Sequence, residues 1–108
     1  MANLPTRIVV PATAKRGDII EIKTLVQHAM EPGYRRDNEG RPVPRDIVKS
    51  FAVTWNGTEI FRTELFPGCA ANPYIAFSTV ATETGEVVFT WVDDAGATTR
   101  ETRRVVVG

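Results

Sequence analysis

The sequence predicts an all-β fold, an immunoglobulin-like antiparallel β-sandwich of about seven strands. Three observations carry that expectation. Apolar residues recur with period two rather than 3.6 along most of the chain. Asn56-Gly57 lies between two such runs, and Asn-Gly is the pair that best tolerates the two positive φ angles of a type I′ hairpin. No stretch between the candidate strands carries a convincing helical period, so crossover helices are not expected.

Taken in order, Arg7-Ile8-Val9-Val10 reads as a first strand that Pro11 ends. Gly17-Asp18 turns the chain into DIIEIKTLVQ, with Ile20, Ile22 and Val26 on one face and Glu21, Lys23 and Gln27 on the other. In IVKSFAVTW, residues 47 to 55, Phe51, Val53 and Trp55 share a face, and TEIFRTELF returns after Asn56-Gly57. YIAFSTVA, residues 74 to 81, alternates with Ile75 and Phe77 on one side. Thr84-Gly85 turns it into EVVFTWV, where Val87, Phe89 and Trp91 align. Asp93-Asp94-Ala95-Gly96 is the next turn, and TTRETRRVVV closes the series. Its charged side chains suit a sheet edge, either guarded against aggregation or open to pairing with another chain.

Composition bounds the function classes. A chain of 108 residues with 43% hydrophobic residues suits one domain, 1–108, with a core that needs no disulfide. Thirteen basic residues balance thirteen acidic ones, so no net field attracts nucleic acid or an anionic membrane. No apolar run has the length of a membrane span. MANLPTRIVV lacks the apolar segment of a secretory signal, which taken alone favours the cytoplasm.

Residues 28 to 46, HAMEPGYRRDNEGRPVPRD, break the strand rhythm. Irregular loops of this size inside a compact domain are usually functional or disordered. Met30 and Tyr34 are large for a solvated connection, so an ordered loop facing a partner or substrate is the preferred reading. Phe66 and Tyr74 also fall outside the strand rhythm, and with Met30 and Tyr34 they are candidates for an exposed apolar patch.

Cys69, within FPGCAANPY, is the only cysteine, and His28 the only histidine. Together they are the only pair that could form a thiolate–imidazolium nucleophile, which needs the imidazole within hydrogen-bond reach of the thiol. The alternative is a small structural thiol at a bend, or a redox one. Zinc would want several Cys or His ligands at short spacing, and phosphate cradles are missing, so no metal and no cofactor is expected. From the residues alone three readings stay open: a partner-binding scaffold, a small thiol enzyme using Cys69 and His28, and a stand-alone ligand-binding sandwich.

Three stretches, in order along the chain, resemble the SoxZ family, the Z subunits of the bacterial SoxYZ sulfur-oxidation carrier. They are H-x-M-E-x-G-x-R-x-D from His28, ANPY at 71 to 74, and FTWxDD-x-G at 89 to 96. The resemblance implies a non-enzymatic immunoglobulin-like subunit that pairs with SoxY during thiosulfate oxidation. In that pair SoxY carries the sulfur substrate on a cysteine in a glycine-rich arm and visits the other Sox enzymes. It further implies a periplasmic heterodimer, exported as a passenger on SoxY's signal. Cys69 departs from the carrier pattern: two strong strands follow it, and the Val105-Val106-Val107-Gly108 end has no Gly-Gly-Cys-Gly-Gly tail. The carrier role is therefore not transferred to it. The expected partner interface comprises His28, Met30, Tyr34, Arg35, Phe66, Pro73 and Tyr74.

Overall fold

The computed structural model describes residues 3–108. It contains eight strands: β1 (Thr6–Val9), β2 (Thr13–Ala14), β3 (Ile19–Val26), β4 (Val48–Trp55), β5 (Thr58–Glu64), β6 (Tyr74–Val80), β7 (Gly85–Asp93) and β8 (Thr98–Val107). One sheet has the order β1-β3-β6 and the other β2-β8-β7-β4-β5. Every pairing is antiparallel except β2 with β8.

The sandwich follows from the alternation. On β3 the residues Ile20, Ile22, Thr24 and Val26 are buried, and on β7 Val87, Phe89 and Trp91 are, as the period-two reading requires. Phe51, Val53 and Trp55 of β4 complete the inner layer, with Phe51 stacked on Trp91 at 4.8 Å between ring centroids. Each such aromatic or aliphatic side chain contributes about 1.5–3 kcal/mol on full burial. The one buried polar residue of β3 is satisfied: the Thr24 hydroxyl donates to the Ile75 carbonyl at 2.8 Å. The β4–β5 hairpin turns at Asn56 (φ 50°) and Gly57 (φ 82°), the two positive values the Asn-Gly pair predicts. A register shift after Val53 bends the pair.

Two expectations need correction. Thr13 and Ala14, outside every expected strand, supply an eighth one, β2, because they lie parallel to Val106 and Val107. That short parallel partner is a non-local event with no periodicity of its own. For the same reason β8 is not a free edge along its whole length. β2 covers one end, and at the other Asn3 donates to the Arg100 carbonyl at 2.7 Å.

Residues 31 to 46 form an ordered two-chain arm. Glu31 and Asp46 exchange backbone hydrogen bonds at 2.9 Å each way, and Arg36 bridges Pro42 nearer the tip. Gly33 lies so close to Arg45 that a Cβ on it would meet the Arg45 Cβ at 3.0 Å, and its φ of +86° also suits glycine.

Candidate functional site

The segment after β5 is built from short-range rules. Phe66 to Cys69 close a turn in which the Cys69 N–H donates to the Phe66 carbonyl at 2.9 Å, with Pro67 at the second position. The thiol sulfur then accepts from the Phe66 N–H at 3.4 Å. Asn72 takes up φ +52°, a left-handed conformation that Asn tolerates better than most residues, and Pro73 leads into β6. Asn72 is also a clip. Its N–H donates to the His28 carbonyl at 2.7 Å, and its side-chain oxygen accepts from the His28 N–H at 2.9 Å. These two bonds fasten the cysteine segment to the root of the arm.

The turn and β5 enclose a groove of about 580 Å³, lined mostly by apolar groups that include Phe61, Leu65, Cys69, Pro73, Tyr74 and Ile75. Cys69 is half-buried there and packs against the core. Of the residues expected in an exposed apolar patch, three are exposed. Tyr34 is 80% exposed, Phe66 61% and Tyr74 59%. Met30 is not part of it. It is 3% exposed, sits in the core at φ +54°, and its sulfur accepts from the Val48 N–H at 3.3 Å. Sequence placed Met30 in an irregular loop, but the chain bends inward there and uses it as a core plug.

His28 is turned to other work than a thiol. Its Nδ1 accepts from the Met30 N–H at 2.9 Å, so the ring proton sits on Nε2, which faces Asp46 Oδ1 at 3.4 Å. Nδ1 is thus engaged by the Met30 N–H and Nε2 lies beside Asp46, and among the described residues no hydrogen bond joins the imidazole to Cys69, whose sulfur accepts from the Phe66 N–H. His28, Asp46 and Asp93 bring their ligand-type atoms within 4.8 Å of one another, the one such group of three among the described residues. Sequence reasoning missed this group because its members come from three separate segments. An Nε2 that carries the ring proton has no lone pair for a cation, and Asp93 Oδ1 already accepts from the Ala95 and Ala97 N–H groups at 3.0 and 2.8 Å. The three side chains cluster where the root of the arm meets the end of β7.

Ion pairs hold the arm. Arg45 makes a two-pronged contact with Asp94, Nε to Oδ2 at 2.9 Å and Nη2 to Oδ1 at 2.7 Å, and the Ile47 N–H adds a third bond at 3.1 Å. The hydrogen-bonded Arg45 guanidinium holds the Asp94 carboxyl below its ordinary value. Arg35 does the same to Glu31, with its Nε 2.8 Å from Glu31 Oε1. Arg35, expected at the partner interface, pairs with Glu31 while its side chain stays exposed.

With this geometry in place, comparison with known proteins decides the family. The sequence matches the family described as Sulphur oxidation protein SoxZ over residues 7–104. The chain belongs to the SoxZ family. That places it among sulfur-oxidation proteins and bears out the resemblance carried by the His28, Ala71 and Phe89 stretches. Among curated protein sequences none matches it. Solved structures share the fold. A superoxide reductase (neelaredoxin) from Ignicoccus hospitalis has a TM-score of 0.74 at 14% identity, covering 95% of this chain and 80% of its own. The sulfur carrier protein SoxY from Chlorobium limicola f thiosulfatophilum has a TM-score of 0.67 at 15% identity, covering 98% and 86%. At such identities these two speak for the SoxZ chain's fold alone.

Proposed function

We propose that this chain is the non-catalytic subunit of a SoxYZ-type sulfur carrier: it binds a SoxY-like subunit, stabilises it, and helps present that subunit's cysteine-bound sulfur to the enzymes of thiosulfate oxidation. The complex works as a periplasmic heterodimer, the chain being exported together with its partner. The observation that carries the reading is the family match across residues 7–104. The surface agrees with it in kind, because exposed Tyr74 lines an apolar groove of the sort that protein partners cover, and exposed Phe66 lies in the turn that carries Cys69 to it.

Cys69 serves the fold in this reading. Its sulfur is fixed by the Phe66 N–H, and the only imidazole of the chain is committed to Met30 and Asp46. The test is co-expression with a SoxY-like subunit, native mass spectrometry of the product, and the same experiment with Cys69→Ser. A one-to-one complex that retains sulfur loading on the partner in both cases supports the scaffold. Loss of sulfur turnover with intact assembly on Cys69→Ser would return the thiol-enzyme reading.

A further inference from the structure

Four strand edges end the two sheets, and they are finished differently. β2 has two residues, and β1 has four and carries Arg7. β5 bears Glu59, Arg62 and Glu64. β6, the sequence Tyr-Ile-Ala-Phe-Ser-Thr-Val, runs seven residues without a charge, a proline or a glycine. Charges, prolines and bulges are the usual means of keeping an edge from pairing, and a long edge without them is a pairing template.

The backbone of β6 is available for it. Two hydrogen bonds fix the phase of the β3–β6 ladder: Val26 N–H to the Pro73 carbonyl at 3.2 Å, and Ala81 N–H to the Asp18 carbonyl at 2.8 Å. Bonded pairs alternate in an antiparallel ladder, so Ile75, Phe77 and Thr79 exchange bonds with Thr24, Ile22 and Ile20. The N–H and C=O groups of Tyr74, Ala76, Ser78 and Val80 therefore point away from β3. No strand lies on that side of β6, and none of the turn, loop and side-chain bonds among the described residues reaches these groups.

The sandwich is also unfinished beside that edge. Between β5 and β6 the two sheets part into two grooves. The 580 Å³ groove lies at the Tyr74 end, and one of about 500 Å³, lined by Trp55, Ile60 and Val80 among others, lies at the far end. Phe61 and Phe77 stack between them at 4.5 Å with planes 8° apart. A strand laid along β6 would satisfy the outward backbone groups and roof both grooves at once.

We propose that β6 accepts an extended strand of the partner subunit by β-strand addition, turning the three-stranded sheet into a four-stranded one across the subunit boundary. This rests on the two-subunit reading above. The chemistry of the occupant follows from the site. It is a segment of about seven residues without charges, because β6 offers none to pair with, and its inward side chains are apolar. Tyr74 and Val80 are six steps apart, about 20 Å, so the inward residues at the two ends of the segment each enter one groove.

The test is amide hydrogen exchange on the free chain and on its co-expressed complex with a SoxY-like subunit. In the free chain Ile75, Phe77 and Thr79 are protected while Ala76, Ser78 and Val80 exchange quickly. In the complex those three outward amides slow by about a hundredfold or more. Ser78→Pro removes one outward donor without touching the β3 ladder and weakens the complex by about tenfold. Ser78→Ala and the β5 control Arg62→Pro leave it unchanged. A complex that forms with the outward amides still fast overturns strand addition while leaving the two-subunit reading standing. Protection that grows with concentration in the free chain overturns the assigned occupant, since a second copy then covers the edge. Absence of any complex overturns the two-subunit reading and the occupant with it.

Discussion

The two long sides of this sandwich are closed by very different means. On the β1/β8 side the chain seals itself. The Leu4 N–H donates to the Thr99 hydroxyl at 3.1 Å, Asn3 bonds the Arg100 carbonyl, β2 pairs with the end of β8, and the Arg16 N–H reaches the Gly108 carbonyl at 3.0 Å. On the β5/β6 side no strand or chain end covers the gap among the described residues; the Phe61–Phe77 stack and, in the far groove, the Trp55 Nε1–H bond to the Glu83 carbonyl at 2.9 Å are what cross it. Both sides are made of the same alternating sequence. The difference teaches that a free edge here is a matter of which segments return to cover it. The edge left uncovered there, β6, is also the one whose strand carries no charged residue.

Substitutions that probe each side can break this contrast. Phe51→Ala opens the shared centre under Trp91 and should cost about 3–5 kcal/mol in chemical denaturation of the free chain. Phe77→Ala removes a half-buried ring on the open side and should cost less, about 1.5–3 kcal/mol. Equal losses for the two would mean that the open side is packed as tightly as the centre. Asn72→Ala deletes the acceptor of the His28 N–H and strains a left-handed position, for about 1–2 kcal/mol. Its signature is faster exchange of the His28 amide and a shifted resonance for Cys69.

Two smaller effects sharpen the comparison. Tyr74→Ala should leave the free chain within about 0.5 kcal/mol of the original, as exposed positions do, while weakening the complex with a SoxY-like subunit in a titration. Tyr34→Ala makes the same test for the arm, and unchanged affinity in both would remove them from the interface. Acidification tests the arm's ion pairs. Asp94 and Glu31 have folded values lowered by Arg45 and Arg35, so their stabilisation is full above the ordinary carboxylate range and is lost as pH falls through the lowered values. The Glu31 and Asp46 amides should therefore lose protection in acid, after correction for intrinsic exchange, before the β4–β7 ladder does. Asp94→Asn should remove most of that pH dependence.

Much of the strand content was legible in the sequence, because alternation and turn chemistry act within a few residues. Ile20, Ile22, Phe51, Val53, Phe89 and Trp91 are buried where period two puts them, and Asn56-Gly57 turns as its two residues favour. The site was less legible. Tyr34, Phe66 and Tyr74 stand exposed as expected, yet Met30 is a core residue. Asn72, the residue that joins the cysteine turn to the arm, gave no signal beyond its place before Pro73. Its role depends on His28, which is distant along the chain.

The sequence by itself determined which segments are strands, which faces they bury, and, through stretches spread along the chain, the family to which it belongs. Local steric preference and the two-residue period of an extended chain are sufficient for the first two. Only the tertiary structure decided that β2 guards β8, that β6 has no strand on its outer side, and that the single imidazole accepts from Met30 and lies beside Asp46. Those outcomes depend on which distant segments come to lie side by side, which the period of a single strand does not record.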